Sequence, residues 1–182
     1  MDKTIQIDTF TRFTQVSRET ISSLKKYEEA LIKNNKSLNL IGNSTLKEIW
    51  IRHFLDSVQV IDFIDKNDKT LVDLGSGAGF PGLVLAIALK DRKIPLKIKL
   101  IEKSSKKVKF LNGLIEELNL DAQAINQNIF EDPKELLDDV FVVRAFSSSS
   151  SFLSLSHFDL RSLWMKLPEQ TRLICLFQCH WQ

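Results

Sequence analysis

The chain predicts a mostly parallel α/β sheet with helical layers. From residue 70 onward, short apolar runs alternate with amphipathic runs of helical period, which is the pattern of strand–helix–strand units. A glycine-rich bend, "DLGSGAGFPG", joins the first such strand to the first such helix. The length, 182 residues with 43% apolar content, suits one domain with a real core plus a helical extension.

Residues 1–16 carry no firm pattern. A helix is expected from about Ser17, with Ile21, Leu24, Tyr27, Glu28 and Leu31 at helical spacing, ending near "KNNKSLNL". A second helix is expected after Thr45 and Glu48, which read as a capping box, with Ile49, Trp50, Phe54, Val58, Ile61 and Ile64 on one stripe. "TLVDLG" then reads as a strand and "FPGLVLAIAL" as a helix with Pro81 in its first turn. "LKIKLIE" is a second strand, and "SSKKVKFLNGLIEEL" a helix. "AQAIN", "DVFVVRAF" and "TRLICLF" are a third, fourth and fifth strand. The division expected is a helical N-terminal extension, 1–66, and a sheet domain, 67–182. "SSSSS", Ser147 to Ser151, is a low-complexity patch read as a loop or a soft helix start.

Composition excludes several classes. Twenty-five basic and 23 acidic residues leave a formal charge of +2, which neither demands nor forbids nucleic acid. Cys175 and Cys179 make no disulfide framework, and with His180 they lack the spacing and fourth ligand of a metal site. No run reaches the length of a membrane span and no apolar signal core opens the chain. The expectation is a cytoplasmic protein with no membrane, DNA or metal partner.

Gly77, Gly79 and Gly82 match the dinucleotide spacing G-x-G-x-x-G, a weak signal alone. Asp73, at the end of the first strand, argues for another ligand, because it would repel a pyrophosphate and welcome a cation. S-adenosylmethionine is a cationic nucleoside without phosphate, and Asp73 is expected to help place its amino-acid end, or else to face a helix N-terminus. Glu102, at the end of the second strand, suits ribose hydroxyls of either that donor or NAD.

Read in order, "SLNLIG", "RHFLDS", "LVDLGSGAGFPGLVLAI", "IEKSSKKVKFL" and "VVRAF" resemble the small-subunit ribosomal RNA methyltransferase G family, also called glucose-inhibited division protein B. The resemblance runs from about Leu24 to Phe146. It implies a class I S-adenosylmethionine-dependent methyltransferase, Rossmann-like, that methylates N7 of one guanosine in bacterial 16S rRNA. The implied partner is 16S rRNA or the small ribosomal subunit, and the protein is expected to be a monomer. Carried over residue by residue, the cofactor contacts are Asp73, Gly75, Ser76, Gly77, Gly79, Phe80, Glu102, Asn128, Ile129 and Arg144. Arg144, His53 and Asn39 are the implied catalytic residues. Arg52, Asp56, Ser57, Pro81, Gly82, Ser104, Lys107, Phe110 and Ala145 also match family blocks. The segment "NQNIFED" departs from the family, with Gln127 or Asn128 where arginine is usual and Phe130 where an acid is usual. "LPEQTRLICLFQCHWQ" departs further, and implies a domain lacking its usual final strands and their apolar burial, at about 25 cal/mol per Å².

Guanine N7 has a lone pair and no proton, so the chemistry needs alignment and dehydration more than a base. Arg144 is expected to hydrogen-bond guanine O6 or hold an RNA phosphate, or to be paired with a carboxylate. His53 is expected to pair with Asp56 or the Asn39 loop, or to sit satisfied between helices. Phe80 either stacks on a base or packs in the core. Lysine runs at 25–36, 90–99 and 103–109 suit phosphates, or only solubility. The competing readings are a methyltransferase on another substrate, an NAD(P)-binding protein, and an inactive or weakened RNA-binding remnant of the family.

Overall fold

A computed structural model describes residues 1–128, 138–145 and 171–177. Two long helices come first, α1 (Lys3–Thr14) and α2 (Arg18–Leu38). A run of short helical pieces follows: a 3₁₀ turn at Leu46–Glu48, a π-helix at Trp50–Leu55, one α-turn, α3, at Asp56–Val58, and a 3₁₀ turn at Gln59–Phe63. Then come β1 (Thr70–Leu74), α4 (Gly82–Asp91), β2 (Lys97–Glu102), α5 (Ser105–Glu117), β3 (Ala122–Asn126), β4 (Val140–Ala145) and β5 (Arg172–Phe177). The sheet order is β3-β2-β1-β4-β5, and all four pairings are parallel. The chain order reverses between β1 and β4, which makes the carboxyl end of β1 the topological switch point.

Strand alternation sorts the core. Leu71, Ile98, Leu100, Val140 and Val142 join a large cluster with Phe10, Leu24, Trp50, Leu83 and Leu111, drawn from the helical segments. Val72, Leu74, Ile101, Phe141 and Val143 form a smaller cluster to which no described helix contributes. α4 is buried from Gly82 to Leu89, as a helix apolar on every side requires. α2 begins where Ser17 caps it, accepting from the Thr20 amide at 3.1 Å. Among the described residues, no helix is long and apolar enough to cross a membrane.

Two expectations are corrected. α1 exists, and its buried positions are Gln6, Phe10 and Thr14; two of the three are polar, so apolar periodicity is silent there. The expected second helix is broken into π, α and 3₁₀ pieces. Its capping box is absent, since the Thr45 hydroxyl donates to Gly42 O and meets His53 Nε2 while Glu48 pairs with Arg52. "SSSSS", Cys179 and His180 lie outside the described residues.

Candidate active site

The bend after β1 is built from its own amides. Gly75 and Ser76 donate to Ile101 O, Gly77 to Glu102 Oε2 at 2.9 Å, and Gly79 and Phe80 to Ser76 O. Gly79 needs its missing side chain. Its φ is +105°, and a Cβ there would meet the Tyr27 hydroxyl at 2.6 Å. Tyr27, on α2, donates to Ala78 O at 2.7 Å. Glu102 ends β2 and accepts a second amide, from Ser104 at 2.8 Å, through Oε1.

A cavity of about 620 Å³ opens at the carboxyl ends of β1, β2 and β3. One wall is Gly75, Gly77 and Ala78; Glu102, Lys103 and Lys107 continue it, with Gln127 and Asn128 after β3. The facing wall is the loop Asn39 to Asn43. Asn39 adopts a left-handed conformation at the end of α2. Asn35 clamps the loop by accepting from the Ile41 amide at 2.9 Å and donating to Ile41 O at 3.0 Å. The volume lies within the usual range for small-molecule sites.

Asn39, Gly75, Gly77, Glu102, Lys107 and Asn128 therefore meet at this cavity, whereas Asp73, Ser76, Gly79, Phe80, His53 and Arg144 do not line it. Asp73 is fully buried and accepts from the Gly82 amide at 2.9 Å, at the start of α4. Its Oδ2 serves the helix N-terminus, and its Oδ1 is buried without a hydrogen-bond partner among the described residues. Phe80 is core, stacked on Tyr27 and on His53 with centroids 5.5 and 4.8 Å away, so it offers no face to a base. His53 binds the Thr45 hydroxyl at 2.9 Å, not Asp56. Burial, then Arg144 and Arg52, push it down to about 3, so its imidazole is neutral at pH 7.

Arg144 is turned inward. Its guanidinium donates to Arg52 O at 2.6 Å, pairs with Asp56 at 2.7 Å, reaches the Ser57 hydroxyl at 3.3 Å and lies over the Phe80 ring. Arg144 is thus paired with a carboxylate, and "RHFLDS" and "VVRA" meet at one joint. Ser104 serves Glu102, and Phe110 packs against the large core cluster. Ile129 and Phe130 lie outside the described residues. Sequence reasoning missed Tyr27 and Asn35 as supports of the two walls. Tyr27 was hidden in an apolar stripe, and Asn35 in a run that reads only as a helix end.

Asp73 has a measurable signature. Burial, partly offset by the Gly82 amide, raises its carboxyl to about 7. The unfolded chain ionises near 3.9, so between ~4 and ~7 only the folded chain keeps the proton, and stability falls as pH rises through that window. Asp73→Asn keeps an acceptor for Gly82 and cannot ionise. Its stability relative to wild type should climb by up to roughly 4 kcal/mol from pH 4 to pH 8. Urea midpoints across that range test this, and parallel curves for the two proteins would refute it.

Residues 20–164 match the family described as GidB, rRNA small subunit methyltransferase G. The chain belongs to this family. A Ribosomal RNA small subunit methyltransferase G from a Jannaschia species is 37% identical over 139 residues, covering 76% of this chain and 65% of the relative. One from Rickettsia akari is 40% identical over 141 residues, covering 77% and 70%. One from Parvibaculum lavamentivorans is 42% identical over 107 residues, covering 59% and 47%, so this chain spans about half of that relative's length. Among solved structures, a branched-chain polyamine synthase from Thermus thermophilus superposes with a TM-score of 0.50 at 16% identity, over 75% of this chain and 39% of that one. That likeness speaks to the fold alone. The parallel sheet flanked by helices is the class I methyltransferase fold, here with N-terminal helices, and this methyltransferase G family member carries its cavity at the expected end of the sheet.

Proposed function

We propose that this chain transfers a methyl group from S-adenosylmethionine to RNA, and that its target is N7 of one guanosine in 16S rRNA. The observation that carries the reading is the grip of Glu102 on the glycine bend at the mouth of the cavity, in a member of the methyltransferase G family.

The residues fit this donor better than a dinucleotide. A pyrophosphate needs free amides at the bend and at the helix start. Here the amides of Gly75, Ser76, Gly77, Gly79, Phe80, Gly82 and Leu83 all donate within the protein, two of them to carboxylates. Pro81 has none to give. A cationic nucleoside without phosphate meets no such conflict. Each Glu102 oxygen keeps a lone pair beyond its amide, enough to accept from ribose hydroxyls. Asn128 and Gln127 on one side, with Asn39 and Asn43 on the other, would hold the remaining polar groups.

When bound, S-adenosylmethionine supplies an electrophilic methyl group. The N7 lone pair needs no base, and His53 is walled in with little affinity for a proton. What the chain contributes is placement and exclusion of water. Lys103 and Lys107 line the cavity and give it a positive rim for RNA phosphates, so binding should weaken steeply with salt.

The test uses labelled S-adenosylmethionine with unmethylated small subunits, naked 16S rRNA and a control RNA. We expect N7-methylguanosine at a single position. A folded sample that binds RNA without transfer would instead establish the remnant reading. Calorimetry should find S-adenosylhomocysteine bound and NAD not; the reverse result would overturn the cofactor assignment.

A further inference from the structure

The wall facing the glycine bend, Asn39 to Asn43, joins α2 to the 3₁₀ turn at Leu46–Glu48 and has no helix or strand of its own. Leu40 and Ile41 are buried in the core, whereas Asn39, Gly42 and Asn43 are exposed. Apolar packing therefore holds the loop down, but it does not fix where the exposed polar residues stand. Hydrogen bonds do that. Among the described residues, those that reach 39–43 from elsewhere end on Asn35 or Thr45.

Asn35 stands on the buried face of α2, after Leu24, Tyr27 and Leu31, where a leucine would be the ordinary choice. It is 4% exposed, and its side-chain amide is spent entirely on the loop. Its Oδ1 accepts from the Ile41 amide at 2.9 Å, and its Nδ2 donates to Ile41 O at 3.0 Å and to Asn43 Oδ1 at 3.2 Å. Its backbone carbonyl accepts from the Asn39 amide at 2.9 Å. The side chain has one orientation that works, since a flip would set Nδ2 against an N–H and Oδ1 against two acceptors. Asn39 and Asn43 are the two asparagines on this wall of the cavity, and Asn35 holds both.

Given the methyl donor proposed above, we infer that Asn35 is a positioning residue for it. Asn35 does not line the cavity itself. It sets where Asn39 and Asn43 stand, and it acts on donor affinity, not on the transfer step. A wall that meets the donor alike before and during transfer raises KM when it loosens and leaves kcat alone. A residue of stability only would cost folded protein and leave the donor affinity of the remainder unchanged.

The test combines calorimetry with S-adenosylhomocysteine, hydrogen exchange at the Ile41 amide, and transfer kinetics on small ribosomal subunits, all with the full chain. Asn35→Ala should weaken S-adenosylhomocysteine about tenfold or more and speed Ile41 exchange by a like factor, with exchange in β1 and α4 unchanged. Donor KM should rise in step, and kcat should stay within about threefold of wild type. Asn35→Asp keeps the shape and sets a second oxygen against Ile41 O and Asn43 Oδ1. Ionised, this variant should bind as weakly as Asn35→Ala. Protonated, its hydroxyl donates to Ile41 O again, so its affinity relative to wild type should recover about fivefold or more from pH 8 to pH 5, and that of Asn35→Ala should not. That recovery stands as the test even where Asn35→Ala fails to fold. Wild-type affinity in both variants, a fall in kcat at unchanged KM, or no recovery of Asn35→Asp in acid would overturn the assignment and leave the donor reading in place. A wild type that binds no S-adenosylhomocysteine would overturn both.

Discussion

Gly79→Ala should destabilise the fold by about 3–5 kcal/mol, the sum of an unfavourable backbone and an overfilled core. Its φ is +105°, and an added Cβ would meet the Tyr27 hydroxyl at 2.6 Å, Leu111 Cδ2 at 2.9 Å and Leu83 Cβ at 3.0 Å. All three neighbours are held from behind. Tyr27 is anchored to Ala78 O, and Leu83 and Leu111 are fully buried. Gly75 is the internal control. Its φ is +74°, but nothing lies within 4 Å of a methyl added there, so Gly75→Ala should cost about 1 kcal/mol, from backbone strain only. Denaturant midpoints of the two variants decide the matter. Equal losses would mean that crowding at Gly79 is relieved by movement, and that the bend is less firmly backed than its contacts imply.

Arg144→Met should cost about 3 kcal/mol of stability, the usual consequence of leaving a partly buried carboxylate unpaired. The side chain of Arg144 is 1% exposed and that of Asp56 25%, so the loss falls at the lower end for buried pairs. The Arg52 carbonyl and the Ser57 hydroxyl would lose a donor as well. Adding Asp56→Asn to Arg144→Met should restore part of the stability, because the stranded charge is gone. If Arg144→Met left the unfolding curve within about 0.5 kcal/mol of wild type and slowed only methyl transfer, the guanidinium would belong to the substrate, as its place in the "VVRA" motif first suggests.

Strand parity explains which parts of this site were legible. The apolar runs and the bend announced β1, α4, β2 and α5, and Glu102 stands at the cavity because it ends β2. For Asp73, the choice between the donor's amino-acid end and a helix N-terminus could be narrowed from its neighbours. Leu71 and Asp73 are two residues apart and point the same way, and Leu71 belongs to the helix-covered cluster. Arg144 follows Val140 and Val142 on that same face, beneath the residues 50–58. Both ionisable groups sit at strand ends, where ligands are usually sought, but alternation sends them toward the helix-covered face.

Other features were beyond a reading of pattern. The π-helix at Trp50–Leu55 has no composition of its own. It occurs where the Arg52 carbonyl turns to receive Arg144, ninety-two positions along the chain, and no local propensity encodes a partner that distant. α1 was silent because Gln6 and Thr14 sit where a helix usually shows leucine. Gln6 holds its place by donating to the Lys47 carbonyl, which again is a tertiary fact.

α2 touches both sides of the cavity. Tyr27, near its middle, holds Ala78 from behind, and Asn35, near its end, clamps the opposite loop through Ile41. The two residues lie eight positions apart on one rigid rod, a separation of about 12 Å along the axis. That rod acts as a caliper, since the width of the gap follows from its length and tilt, not from the sheet. The jaws cannot be adjusted independently, and a cut ahead of β1 would leave a sheet with one jaw and no gauge.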